Sequence, residues 1–187
     1  MDRQTAWEKL NEWVKSPKLV RHNQIVELCM RAACVKYGGE GVDIDAWGIA
    51  GLLHDADWEV HPEEHPKYIV AWLEERSEKE IAHAIACHNT AWKMSYDAPM
   101  DKALLAVDEL SGLITACAAL RPDGIMSLET KSVMKKMKEP KFAANVSRDD
   151  IKMGVDLLAV DFESHVQLLI DAIRARASEF GLIGNLN

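Results

Sequence analysis

Apolar residues recur three and four positions apart along almost the whole of this chain, and no stretch sustains the apolar/polar alternation of a half-buried strand. That period permits helices packed on helices and leaves no sheet to build on. The punctuation agrees with it. Thr5 with Glu8 has capping-box spacing, and Ser16-Pro17 offers an N-cap followed by proline at the first helical position. Gly38-Gly39 stops the following helix near Tyr37, and Asp43 or Asp45 opens the next. Ser77 with Glu80 has capping-box spacing again, and a long helix is expected from about Met100 to Leu120. The gaps between these segments are short enough for interhelical connections. The expectation is one all-α domain over residues 1–187, a bundle of about eight helices.

One run stands apart from the rest. Gly48-Ile49-Ala50-Gly51-Leu52-Leu53 is small and aliphatic, then ends abruptly in His54-Asp55-Ala56-Asp57. Burying such groups is costly unless something pairs with them, and a metal ion is one such partner. The alternative is a helix that ends at Leu53 with a solvated pair beyond it. Other residues weigh toward metal. His22 shares a helical face with Ile25, Val26, Cys29 and Ala33, and Asp108 falls among Leu104, Leu105, Val107 and Leu110. His65 opens one helix and His88 ends another. All are ligands for first-row metals, with no thiolate obviously joining them.

In this order the residues resemble the HD-domain family of metal-dependent phosphohydrolases, especially its small stand-alone bacterial members. The signature of that family is a histidine, an adjacent His-Asp pair and a much later aspartate, matched here by His22, His54-Asp55 and Asp108. A subset adds two intervening histidines for a second metal, matched by His65 and His88. The resemblance implies a helical bundle with a ligand core at about 16–120 and further helices over 121–187. It also implies one or two divalent ions (Fe, Mn, Zn, Ni or Co) and hydrolysis of a phosphoester or phosphoanhydride in a small molecule such as a nucleotide. Asp55 and His54 would be the catalytic residues, with Asp55 bridging the two metals. A non-catalytic nucleotide- or metal-binding sensing module is the alternative. No Gly-Tyr-Pro motif of the cyclic-dinucleotide phosphodiesterase branch is present.

Composition narrows the rest. A net charge of −8 argues against nonspecific binding to nucleic-acid polymers or membrane surfaces. The four cysteines lack CxxC spacing and sit in apolar patterns, which suits reduced core thiols and a cytoplasmic location. In so acidic a chain the lysines near 131–141 draw notice. Lys131, Lys135 and Lys141 are candidates for a phosphate-binding rim, with Arg121 and Arg148 weaker candidates, although a solvated face is the default for such a run. Asp57 and Glu59 could orient a ligating histidine, and Trp58 or Trp92 could stack on a base. His61 and His165 read as solvated, and His83 lies about 140° around its helix from His88, too far to share its metal.

Overall fold

The computed structural model describes residues 1–184. Among them are nine α-helices, one more than about eight, and no strand: α1 (Arg3–Trp13), α2 (Pro17–Tyr37), α3 (Ile44–Leu53), α4 (Lys67–Glu74), α5 (Lys79–His88), α6 (Pro99–Ala119), α7 (Thr130–Met137), α8 (Arg148–Leu158) and α9 (Phe162–Ala175). Short 3₁₀ turns at Pro62–Glu64 and Thr90–Trp92 flank the two histidine-bearing loops. Among the described residues no helix is long and apolar enough to cross a membrane.

The long helix α6 is the spine. It packs against α2 and α5 on one side and against α7, α8 and α9 on the other, so Leu104, Leu105, Val107, Leu110, Leu113 and Ile114 are all buried. Helix α3 is equally enclosed, with every residue from Trp47 to Leu53 buried between α2, α1 and α5. Two glycines permit the closest approaches. A Cβ on Gly51 would lie 2.8 Å from the Val26 carbonyl on α2, and one on Gly154 would lie 2.4 Å from the Ala106 nitrogen on α6. The first contact draws α3 onto α2 and the second draws α8 onto α6; candidate ligands lie on α2 and α6 and in the turn that ends α3.

Several caps form as expected. Ser16 and Asp43 accept from the first backbone N–H groups of α2 and α3. Two expected capping boxes do not form. Helix α1 begins earlier, with Asp2 as its cap and Thr5 inside its first turn. Ser77 adopts a left-handed φ of 64° and closes the end of α4, while α5 starts from Glu78. All four cysteines are buried free thiols.

Candidate metal centre

Six side chains from five places in the chain meet in the middle of the bundle. His22 projects from α2, His54 and Asp55 from the turn that ends α3, His65 from the following loop, His88 from the last turn of α5 and Asp108 from α6. Nε2 of His22 and Nε2 of His54 lie 3.0 and 3.2 Å from Asp108 Oδ1. They lie 3.9 and 3.5 Å from Asp55 Oδ2. The other oxygen of Asp55 faces the opposite way, 3.3 Å from His65 Nε2 and 3.8 Å from His88 Nε2. Two trios result, His22–His54–Asp108 and Asp55–His65–His88, each with donor atoms within 4.8 Å of one another. Asp55 stands between them with one oxygen toward each.

The ring protons show what these trios are built to receive. His54 Nδ1–H donates to the Gly51 carbonyl at 2.8 Å, which leaves Nε2 as the ring nitrogen turned toward the carboxylates. That nitrogen is fully buried and has no hydrogen-bond partner. His65 Nδ1–H donates to Asp57 Oδ1 at 2.6 Å, and His88 Nδ1–H donates to the Ile85 carbonyl. Their two Nε2 lone pairs therefore face each other at 3.0 Å. Acceptors this close need a proton or a metal ion between them. Metal–ligand bonds of about 2.0–2.2 Å place donor atoms at about this separation.

The electrostatics tie the same residues together. Burial opposes a charge on His54, yet the Asp55 and Asp108 carboxylates outweigh it and push the imidazole up to about 10. Burial also opposes ionisation of Asp55, but the His54 and His88 rings beside it hold it at about 2. Asp108, equally buried, is kept well below the carboxylate range by His54 and His22.

Supporting residues fix these orientations. Asp57 is wholly buried, and while one oxygen holds His65 the other accepts the Tyr68 and Ile69 backbone N–H groups that open α4. Asn89 Nδ2 donates to the His65 carbonyl at 2.9 Å and so ties that loop to the end of α5. The sequence named Asp57 as a possible supporting residue; Asn89 and the Gly51 carbonyl it did not single out.

Other candidates fall elsewhere. Glu59 accepts from the Lys15 and Ser16 backbone N–H groups. His61 stacks on Tyr68 and is only partly exposed. His165 is not at the surface: it is fully buried, its Nε2 at 3.1 Å from the Ala106 carbonyl and its Nδ1 at 3.2 Å from the Tyr37 hydroxyl. His83 does point away from the centre, and with Cys87 and Asp101 it forms a third cluster. Both of its contacts there use Nδ1, and the same Asp101 oxygen accepts the Asp97 and Ala98 N–H groups, so this cluster anchors the start of α6.

Exposure at the centre is uneven. His54, His65 and His88 are almost completely covered, whereas the side chains of His22, Asp55 and Asp108 are 27, 20 and 16% exposed. A cleft of about 1380 Å³ adjoins His22. The cations on its walls are Lys18, Arg21 and Arg121, and Trp58 also lines it. Lys131, Lys135 and Lys141 are exposed and are not among its lining residues. Arg148 is engaged by the Phe142, Ala143 and Val146 carbonyls.

The fold and the site define an all-α protein with a His/Asp centre suited to divalent metal. The chain belongs to the HD domain family, whose model matches residues 20–117, just over half of the chain and inclusive of all six candidate ligands. Comparison with curated proteins and with solved structures returned no match.

Proposed function

We propose that the protein is a metal-dependent phosphohydrolase acting on a phosphoester or phosphoanhydride of a small molecule, with nucleotides the first class to test. The observation that carries this reading is the division of Asp55, one oxygen toward each trio of ligands. Divalent ions held there supply Lewis-acid charge and lower the pKa of water to near neutrality. His22, His54 and Asp108 would hold one ion, His65 and His88 the other, and Asp55 both. The covered histidines exclude water from the back of the centre. The open side at His22, Asp55 and Asp108 admits the phosphoryl group from the cleft. Asp55 and His54 are the residues on which turnover depends most, because each links the trios or fills their buried core.

Metal analysis of protein purified without chelator, together with hydrolysis of p-nitrophenyl phosphate and a panel of nucleotides, tests the proposal. About two equivalents of transition metal per chain and turnover abolished in Asp55→Ala are expected. A folded protein that takes up no metal on reconstitution would overturn it and leave a helical binding module.

A further inference from the structure

The cleft is larger than a phosphomonoester needs, since sites for small molecules run to about 300–1,000 Å³. Its floor follows α6 away from Asp108. Gly112 and Ala116 lie four and eight residues on, along the same helical face, and their small side chains keep that face low. The opposite wall is the first part of α2, where Lys18 sits one turn before His22 and Arg21 directly before it. Among the described residues neither Lys18 nor Arg21 has a carboxylate within ion-pair distance; Arg21 reaches only the Phe180 carbonyl, at 3.4 Å. Glu59 is the acid on the cleft wall, and the Lys15 and Ser16 backbone N–H groups occupy its Oε2. What sets these two cations apart is their place, on a cleft wall beside the candidate ligand His22. Ammonium and guanidinium groups placed so are suited to phosphate oxygens.

We infer that Lys18 and Arg21 form a second anion subsite, so that the substrate carries a further phosphate beside the one that meets His22 and Asp108. This inference rests on the proposed phosphohydrolase reading and narrows its substrate class to organic compounds with at least two phosphates.

The test is calorimetric titration of manganese-loaded full-length protein with two probes, adenosine 5′-monophosphate and its uncleavable α,β-methylene diphosphate analogue. The wild type is expected to bind the diphosphate about tenfold more tightly or better, a preference that shrinks as salt is raised. In Lys18→Ala/Arg21→Ala that preference falls to about twofold or less, while the monophosphate affinity moves less than about threefold. A wild type without preference, or a double variant that loses both probes equally with an unchanged circular dichroism spectrum, would overturn the subsite. Asp55-dependent turnover of p-nitrophenyl phosphate is measured alongside. Its absence would remove the hydrolase reading, while the binding comparison would still decide the subsite.

Discussion

Asp57 divides its carboxylate between the ring of His65 and the first backbone N–H groups of α4. Asp57→Asn keeps the size and removes the charge that fixes the histidine tautomer, so the His65–His88 trio should lose about tenfold to hundredfold in metal affinity. The His22 trio should keep its ion, and metal titration of the variant distinguishes the two; unchanged loading of both would sink the assignment. Proton linkage gives a second expectation for chelator-stripped protein. The folded pKa of His54 is raised from 6.5 to about 10, so its stabilising contribution is complete below 6.5 and is lost as pH rises through about 10. Asp55 is lowered from 3.8 to about 2, so its contribution is present above 3.8 and is lost as pH falls through about 2. Melting temperatures of the stripped protein should therefore decline from pH 6.5 toward pH 10, and a flat profile would contradict the electrostatics. Metal uptake should run oppositely and strengthen with pH, since the ion displaces that proton. The candidate ligands themselves were legible because an ionisable residue within an apolar period is costly without a partner. Lys18 and Arg21 were not, since an exposed cation near a helix start looks ordinary until the cleft beside it is seen.

At the level of elements, close approach decides more than propensity does. Gly51→Ala would force a methyl against the Val26 carbonyl where α3 crosses α2, and Gly154→Ala would do the same to Ala106 where α8 meets α6. Each is expected to cost roughly 1–3 kcal/mol. Thermal unfolding reads this as a fall of about 2–4 °C per kcal/mol. Unchanged melting would mean that the helices separate freely. Neither crossing could be read from the chain, because a glycine in a helical pattern does not say which backbone passes beside it. The caps divide in the same way. Ser16 and Asp43 were legible because local hydrogen bonds are enough to form them. Ser77 was misread because the closing turn of α4, in which its N–H donates to the Glu74 carbonyl, claims the residue first. His165 was misplaced for a similar reason: its polar sequence neighbours concealed burial against Tyr37 and Ala106.

The molecule as a whole should be tied together by what it binds. An ion that binds only the folded state at a hundredfold excess over its dissociation constant stabilises it by about 2.7 kcal/mol. Stripping the metal should therefore lower the melting temperature by about 5–10 °C. Recovery on adding manganese, zinc or iron completes the measurement, and a melting temperature indifferent to chelator would show that the bundle stands without its ligands' partner. All-α architecture and the order of the six candidate ligands were readable at this scale, because periodicity and spacing are properties of the whole chain. Which side of the centre meets water was not. That asymmetry has a kinetic meaning. With His54, His65 and His88 covered inside the bundle, the proposed function would make the cleft beside His22 the way in and the way out for ions as well as for substrate. A molecule lying in the cleft would then act as a stopper, and the metal would exchange with solvent only as often as the cleft empties.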